Sequence, residues 1–375
     1  MSDLQVTCLG TASQQPSVKR ALNSCVYRNK GISYLVDCGE GTQAQLTASG
    51  VRPSSIKTVL ITHLHGDHCF GLPDTGSLLE AVKKVKYEYP TIEVYGPVGL
   101  RRYLRVALQL SRSRLACNYI VHELVPTQAQ IGGSHPSFDS WNPPANDDFE
   151  RYYNELPGRQ IYPTDYHGQN IWKLCKDSNN VTVTAVELLH HAPSFGYVFE
   201  EPSIIGLLDK ERLEHLGLRN SPLCGKLARG NEVEHNGRII KPCDVQRPEV
   251  KGRKVAVLGD SRDSNLASNY CHAADLIMHE ATLENDMEST AIEHGHSTPR
   301  MAVEFARRCG AKKLVLNHFS QRYRSEKDEK YNLEESITDQ ILLKQAIQCA
   351  LELGESENFV GIARDLKVID VIRAK

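Results

Sequence analysis

Short apolar runs rich in β-branched residues recur along the whole chain. Such runs, bounded by polar or turn-forming residues, predict buried strands. They are Val6–Leu9, Ile32–Val36, Val59–Thr62, Ile92–Tyr95, Tyr119–Leu124, Val181–Val186, Tyr197–Phe199, Val255–Leu258, Leu276–Met278, Leu314–Leu316 and Phe359–Ala363.

Helical patterns lie between some of these runs. Ser297-Thr298-Pro299 supplies a hydroxyl cap and an early proline, and apolar residues at helical spacing follow as far as Gly310. Leu333–Leu353 is a longer amphipathic pattern, and Pro97–Leu110 is a further apolar one. Strands with interspersed helices predict a mixed α/β protein with layered packing.

One segment, Thr127–Asn180, lacks this regularity. It is rich in Ser, Pro, Asn, Asp and Gly, and we expect an insertion that is partly loop or poorly ordered. His135 and His167 lie in this segment, and neither belongs to a recognisable motif of metal ligands or catalytic residues. We therefore interpret both as surface residues.

Composition places the chain among ordinary globular proteins. The 375 residues are 40% hydrophobic and 24% charged, which suits one large domain or two small ones. No apolar run approaches the ~18 residues of a membrane-spanning helix. The acidic start, Met1–Val6, disfavours a signal or transit peptide. The 11 cysteines form no CxxC pair, and their odd number favours reduced thiols in the cytosol.

The net charge of −2 argues against a chain that binds polyanions with its whole surface. One window, Lys226–Lys254, has eight positive and four negative residues. By itself this window is compatible with an ordinary solvated face or with a local nucleic-acid contact.

The segment His63-Leu64-His65-Gly66-Asp67-His68 concentrates metal-ligand side chains directly after the apolar run that ends at Thr62. Imidazole and carboxylate are the zinc ligands used where thiolates are not. Four such groups on one turn exceed what a single tetrahedral ion takes from one loop. We therefore predict two adjacent metal ions, with a histidine-rich surface loop as the alternative.

Three further apolar runs are each followed by residues of the types that bind metals, histidine or aspartate. His190-His191, Asp260 and His318 each follow a predicted strand, and strand ends on one edge of a layered α/β fold converge. Gly259 allows close backbone approach beside Asp260, whose carboxylate can bridge two cations.

The pattern of His63, His65, Asp67, His68, His190, Asp260 and His318 resembles the metallo-β-lactamase superfamily. Further motifs are similar to the short-form ribonuclease Z (tRNase Z) family, over about residues 4–325 apart from Thr127–Asn180. They are Asp37–Gln43, Tyr95–Leu100, Val121–Pro126, Pro193–Tyr197, His279–Thr282, Gly295–Thr298 and His318–Tyr323.

The resemblance implies a fold and an activity. The fold is an αβ/βα four-layer sandwich, a single domain over residues 1–375 with a protruding flexible arm at 200–250. The activity is zinc-dependent endoribonuclease cleavage that removes 3′ trailers from tRNA precursors, or repairs tRNA 3′ ends, and leaves a 3′-hydroxyl. It also implies a homodimer. The apolar runs and the cysteines, for their part, predict no membrane association and a place in the cytoplasm, with the nucleus left open as a second compartment.

The resemblance assigns two Zn²⁺ ions per subunit. One set of ligands is His63, His65, His190 and Asp260, and the other is Asp67, His68, His318 and the same Asp260. His190 is preferred to His191 because the family places this ligand three residues before Pro193.

Further roles follow from the same resemblance. Asp67 also accepts the proton of the attacking water, His296 protonates the leaving oxygen, and Glu280 orients His296. Asp37 holds a ligand histidine by its other nitrogen. In the arm, phosphate contacts fall to Lys226, Arg229, Arg238 and Lys241.

Two segments depart from the family pattern. Leu218-Arg219-Asn220-Ser221-Pro222 replaces a Pro-Gly-Pro-like element of the arm, and Gly10-Thr11-Ala12 replaces Gly-Thr-Gly.

Two other functions remain open on the residues alone. The first is a hydrolase of the same superfamily that acts on a small ester, thioester, sulfate ester or cyclic phosphodiester. The second is a non-catalytic scaffold or RNA-binding relative, which is disfavoured because all seven ligand positions are filled.

Overall fold

The computed structural model describes residues 3–73, 90–113, 115, 117–131, 151–204, 206–325 and 338–373. The chain divides into a larger unit, Met1–Phe199 with Lys254–Lys375, and a smaller unit, Glu200–Arg253. The expectation of a single domain with a flexible arm at 200–250 stays a prediction.

Two sheets form the framework of the larger unit. The strands of the first are β1 (Leu4–Gly10), β2 (Ser24–Asn29), β3 (Ile32–Val36), β4 (Ile56–Leu60), β5 (Thr91–Pro97), β6 (Asn118–Leu124), β7 (Glu155–Leu156), β8 (Gln160–Ile161) and β19 (Val368–Asp370). Their order is β19-β1-β2-β3-β4-β5-β6-β7, and β8 also pairs with β6. Strands β3 to β6 run parallel, so their carboxyl ends share one edge.

The strands of the second sheet are β9 (Thr164–Tyr166), β10 (Gln169–Lys176), β11 (Thr182–Leu188), β12 (Ser194–Glu200), β15 (Lys254–Leu258), β16 (Leu276–Glu280), β17 (Leu314–Asn317) and β18 (Val360–Ile362). Their order is β18-β17-β16-β15-β12-β11-β10-β9. Strands β15 to β18 run parallel.

Helices connect the strands of both sheets. Those of the larger unit are α1 (Thr42–Ala48), α2 (Gly66–Cys69), α3 (Leu100–Ser111), α4 (Gln128–Ile131), α8 (Glu288–Glu293), α9 (Pro299–Arg308) and α10 (Gln340–Glu352). Short 3-10 helices span Pro53–Ser55, Asn265–Ala267, Asn285–Met287 and Glu357–Phe359.

Three apolar clusters show how these layers pack. The middle cluster joins the inner faces of the two sheets, where Tyr27 and Phe199 stack with ring centroids 4.0 Å apart. A second cluster packs α1 and α3 on the first sheet, and a third packs α9 and α10 on the second. The helix–sheet–sheet–helix order confirms the predicted αβ/βα sandwich.

Most predicted elements coincide with observed ones. Every predicted strand overlaps a strand, and α9 begins at Pro299 with the Thr298 hydroxyl accepting a hydrogen bond from the Met301 amide. In the third helical pattern, α3 begins only at Leu100, because β5 extends to Pro97. The long pattern Leu333–Leu353 contains α10, and its residues 333–337 lie outside the described residues.

The sequence patterns missed β2, β7 to β10, β13, β14 and β19. In the irregular segment, β10 pairs with β11 through a register shift between Lys173 and Cys175. That shift interrupts the alternation of buried and exposed positions, although Trp172 is fully buried. His167 is exposed as expected, whereas His135 lies outside the described residues.

Two expectations from composition can be compared with the structure. All eleven cysteines are free in the structure, and their expected reduced state stays a prediction. Within the described part of the chain, no helix combines the length and the hydrophobicity that crossing a membrane requires.

The smaller unit has a core of its own. Its elements are α5 (Lys210–His215), α6 (Leu223–Ala228), β13 (Val233–His235), β14 (Arg238–Ile240) and α7 (Pro242–Val245). Leu218, at the start of the segment that departs from the family pattern, is fully buried in this core. The two chain ends of the unit are joined by Arg253 and Glu201, whose side chains form two hydrogen bonds of 2.8 and 2.7 Å. Arg253 is buried, so it is not one of the exposed cations of the basic window Lys226–Lys254.

A buried ion pair ties β7 to α3. Arg105 donates hydrogen bonds of 2.8 and 2.7 Å to the Glu155 carboxylate, and both side chains are buried. We expect Glu155→Gln to lower the free energy of unfolding by about 3–5 kcal/mol, because the guanidinium would remain buried without its counter-charge. Urea unfolding followed by circular dichroism measures this change.

The matched control is Glu352→Gln. Glu352 is exposed and pairs with Arg300 at 3.3 Å, so its loss should leave the urea midpoint where it is. If Glu155→Gln proved as stable as the control variant, the Arg105–Glu155 pair would not hold β7 in place.

Candidate metal centre

Side chains that follow the ends of four strands meet at one edge of the sandwich. The turn after β4 and the start of α2 carry His63, His65, Asp67 and His68, while His190, Asp260 and His318 follow β11, β15 and β17. All seven predicted ligands are brought together, although their positions span more than two thirds of the chain.

The first group contains three imidazoles and one carboxylate. The His65 Nδ1 atom lies 3.1 Å from His63 Nε2 and 3.2 Å from His190 Nε2. The Asp260 Oδ2 atom is 3.7 Å from His63 Nε2.

The second group shares that same carboxylate oxygen. His68 Nε2 and His318 Nε2 lie 3.1 Å apart. Asp67 Oδ2 is 3.3 Å from His318 Nε2 and 3.6 Å from His68 Nε2. Asp260 Oδ2 is 3.5 Å from His68 Nε2 and 3.3 Å from His318 Nε2, so it lies between the two groups.

These separations fit tetrahedral zinc. With bonds of about 2.0–2.1 Å, two ligand atoms of a tetrahedral ion are about 3.3 Å apart. The donor atoms described above are 3.1–3.7 Å apart. Nitrogen and carboxylate oxygen are also the atom types that zinc binds, so both groups fit a metal by geometry and by chemistry.

The outward nitrogens of four imidazoles are held by hydrogen bonds. His68 Nδ1 donates to Asp37 Oδ2 at 2.6 Å, and His190 Nδ1 donates to the Gly295 carbonyl at 2.6 Å. His63 Nδ1 and His318 Nδ1 lie 3.1 and 3.0 Å from the hydroxyls of Thr62 and Thr282. These partners place the N–H outward, so the lone pair of each Nε2 points inward.

Asp37 lies against a histidine of the cluster, His68, as predicted. Its backbone has a φ of +58°, an uncommon value for a residue with a side chain. Its oxygens also accept hydrogen bonds from the Thr62 amide and hydroxyl, at 2.8 and 2.9 Å. The end of β3 is thereby fixed to the turn after β4.

Burial and neighbouring charges shift the pKa values of the histidines and of the aspartate in the cluster. Burial lowers the pKa of His63 and of His190 well below the usual value, which favours the neutral imidazole that metals bind. Burial opposes ionisation of Asp260, yet His318 and His68 hold the pKa of its carboxyl well below the usual range. At His68, burial is outweighed by the carboxylates of Asp260, Asp37 and Asp67, which raise the pKa of the imidazole.

The structure separates His190 from His191. His190 is buried in the cluster, whereas the Nε2 atom of His191 donates to the Glu293 carbonyl at 2.8 Å.

Gly259 directly precedes the candidate ligand Asp260. A Cβ atom at this glycine would come 2.6 Å from the Cβ of Thr62. This crowding accounts for glycine before Asp260.

His296 and Glu280 form a pair beside the cluster. The Nδ1 atom of His296 lies 3.1 and 3.3 Å from the two carboxylate oxygens of Glu280. Burial lowers the pKa of His296, but the charge and hydrogen bond of Glu280 outweigh it and raise the pKa to about 9. Nδ1 is also 3.7 Å from Asp260 Oδ2, a longer separation that makes Glu280 its main partner.

A cleft of about 920 Å³ opens onto the cluster. His65, Asp67, His190, Asp260 and His296 line it. The four residues that we predict to contact phosphate are all exposed in the smaller unit: Lys226, Arg229, Arg238 and Lys241.

Several residues of the site had no predicted role. Thr62 and Thr282 pass hydrogen bonds from ligand imidazoles to Asp37 and Glu280. The backbone amide of Gln14 donates a hydrogen bond to Asp67 Oδ2 at 2.6 Å. The adjacency of Thr62 to His63 and the closeness of Thr282 to Glu280 were the only signals in the sequence, and threonine is too common for them to be specific.

Two family models match parts of the chain. The family described as Anti-Pycsar protein Apyc1 matches residues 4–97, and the family described as Beta-lactamase superfamily domain matches residues 245–319. The matched ranges contain the His63–His68 turn and the segment of Asp260 to His318, respectively.

Curated proteins are similar over nearly the whole chain. Zinc phosphodiesterase ELAC protein 1 of Homo sapiens is 38% identical, over 98% of each chain. Ribonuclease Z of Lactococcus lactis subsp. lactis is 33% identical, over 85% of this chain and 90% of that protein. The crystal structure of human tRNase Z, short form (ELAC1), superposes with a TM-score of 0.63 at 31% identity, over 98% of this chain and 99% of that one.

Proposed function

This chain belongs to the family of zinc phosphodiesterase ELAC protein 1 and ribonuclease Z, and from that premise we propose that it cuts the 3′ trailer from tRNA precursors or repairs tRNA 3′ ends. The product is a tRNA with a 3′-hydroxyl. One observation carries the proposal: five imidazoles and two carboxylates form two groups that share Asp260 Oδ2, beside the His296–Glu280 pair.

The ligand assignment follows the two groups. His63, His65 and His190 with Asp260 would hold one Zn²⁺, and Asp67, His68 and His318 with the same Asp260 would hold the other. Two bound zinc ions supply a water of lowered pKa and neutralise charge on the phosphoryl oxygens.

Two side chains of the protein then accept and donate the protons of the reaction. The Asp67 carboxylate receives the proton of the attacking water, and its position is supported by the Gln14 amide. His296 gives a proton from Nε2 to the departing 3′ oxygen of ribose, since Nδ1 is held by Glu280. The charge and hydrogen bond of Glu280 raise the pKa of His296, which favours the imidazolium form that a general acid requires.

The direct test is cleavage of a tRNA precursor with a labelled 3′ trailer, followed by mapping of both new ends. We expect a cut directly after the discriminator nucleotide, a 3′-hydroxyl on the tRNA, and no cleavage after treatment with a chelator. Zinc-loaded protein that leaves the precursor intact but hydrolyses a small phosphodiester would favour the alternative of a small-ester hydrolase.

The exposed cations of the smaller unit are proposed to bind tRNA phosphates. Replacing Lys226, Arg229, Arg238 and Lys241 together with glutamine should weaken precursor binding about 10- to 100-fold at low salt. The slope of log affinity against log salt should become shallower by roughly 0.7–0.9 for each phosphate that is no longer neutralised. Filter binding at several salt concentrations measures both changes.

A charge-matched control replaces four exposed cations of the larger unit. Arg52, Lys57, Lys173 and Arg307 are suitable, because they also comprise two lysines and two arginines. An equal loss in both quadruple variants would mean that only net charge matters and would refute a role for this unit in particular.

We also propose a homodimer that acts in the cytoplasm, with the nucleus as a second compartment. Leu110, near the end of α3, is 81% exposed, so it is a suitable position at which to test for an interface. The eleven free cysteines support a reducing compartment. Analytical ultracentrifugation of the parent and of Leu110→Glu tests the dimer.

A further inference from the structure

An exposed aromatic ring lies at the metal turn. Phe70 comes two residues after His68, is 60% exposed and lines the cleft that opens onto the cluster. Single exposed apolar side chains are common on protein surfaces, so the exposure alone carries no meaning. Its position beside a phosphodiesterase site distinguishes this ring from the others.

The Phe70 ring is held on the side away from the solvent. A Cβ atom on Gly66 would lie 2.6 Å from the ring, which shows how closely the ring covers this glycine. On α3, the ring of Tyr103 stacks on Phe70 with centroids 5.9 Å apart and planes inclined by 26°. The ring is therefore positioned before any ligand binds, and its exposed surface belongs to the cleft.

The wall around this ring is suited to an uncharged flat group. Among the described residues that line the cleft, there is no lysine or arginine. Pro16 and Leu22 add apolar surface, Gln14 and Gln15 add amide side chains, and Glu40 adds a negative charge. A phosphate would be disfavoured beside Glu40, whereas a nucleobase can stack on an aromatic ring and accept hydrogen bonds from amides.

The site has two sides, one for the tRNA and one for the trailer of the scissile phosphate. His296 contacts Glu280 at the end of β16, in the second sheet, whereas Phe70 packs on the turn that follows β4, in the first sheet. His296 serves the departing 3′ oxygen and so marks the tRNA side of the scissile phosphate. Phe70 then faces the nucleotide on the other side.

We propose that Phe70 forms a stacking site for the base of the first trailer nucleotide, the one that carries the scissile phosphate. This inference rests on the proposed function. A stacked base contributes binding that alanine substitution typically reduces by roughly 5- to 150-fold. Because any base has an aromatic face, the site tolerates different trailer sequences but requires that a base be present.

The test combines protein variants with substrates that lack one base. kcat/KM is measured for the parent, Phe70→Ala, Phe70→Leu and Phe70→Trp with a normal precursor, with one abasic at the first trailer nucleotide, and with one abasic at the discriminator. On the normal precursor, we expect a loss of roughly 5- to 150-fold for alanine, a similar loss for leucine, and near-parent activity for tryptophan. On the precursor that lacks the first trailer base, the parent should fall to the level of Phe70→Ala.

Controls separate this site from general effects. Leu351→Ala removes an exposed apolar side chain of α10 outside the cleft and should match the parent on all three substrates. Zinc content should be equal in the parent and Phe70→Ala. Zinc loss would instead assign the effect to the metal turn and would overturn the proposal.

The other outcomes are equally decisive. Additive losses from Phe70→Ala and the missing trailer base would overturn the proposal, as would coupling to the discriminator base in place of the trailer base. If the zinc-loaded parent did not cut the normal precursor, the proposed function itself would fail. Parent cleavage with no effect of Phe70→Ala would remove only the stacking site.

Discussion

Replacing Asp67 with asparagine is expected to abolish cleavage of the tRNA precursor, with a loss in rate of roughly a thousandfold or more. The carboxylate lies 3.3 Å from His318 Nε2 and 3.6 Å from His68 Nε2, so its charge contributes to the second ligand group. The same carboxylate is proposed to accept the proton of the attacking water. Asparagine keeps the shape but supplies neither the charge nor the basicity.

Two measurements separate these contributions. Single-turnover cleavage reports the rate, and zinc analysis reports how many ions remain per chain, with about one expected in place of two. Glu357→Gln is the control, because Glu357 is an exposed carboxylate outside the cleft. Its rate should remain within about tenfold of the parent's. An Asp67→Asn protein that retained full cleavage would remove the proposed mechanism.

His296→Gln is expected to lower the cleavage rate by about 10²–10⁴, the usual contribution of a general acid. Its Nδ1 atom is held 3.1 Å from Glu280, so the loss should be felt at Nε2 and at the leaving oxygen. Glu280→Gln should cost less, because it leaves the imidazole in place while its pKa falls from about 9 towards the ordinary value.

The leaving group distinguishes this role from a structural one. A phosphodiester that releases p-nitrophenolate needs no proton at neutral pH, so His296→Gln should impair its hydrolysis far less than that of the precursor. Asp260, His296 and His318 can also approach a common ion. Equal losses on both substrates, together with loss of zinc, would show that His296 acts as a ligand and not as an acid.

The metal cluster was predictable because its pieces are local and repeat one arrangement. His63 to His68 lie within six residues, and the other candidates each follow an apolar run. Parallel strands then bring these ends to one edge, so the strand pattern predicted both the layered fold and the place of the site.

Other features depend on contacts that no local pattern reveals. The partners that orient the imidazoles include the hydroxyls of Thr62 and Thr282 and a backbone carbonyl at Gly295. Arg253 is one of the eight cations of the basic window Lys226–Lys254, although it is buried against Glu201, which lies 52 residues earlier in the chain. Strand β10 was missed because its register shift breaks the periodicity.

The proposed ligands come from both sheets, and this has a consequence for the stability and turnover of the protein. Each group combines residues from the turn after β4, in the first sheet, with residues that follow strands of the second. Metal occupancy and folding are then linked: ions that bind only the native state add about 2.7 kcal/mol of stability at a hundredfold excess over their dissociation constant. Chains made during zinc shortage would thus open more readily to proteases, and the cellular amount of the enzyme would follow the zinc supply.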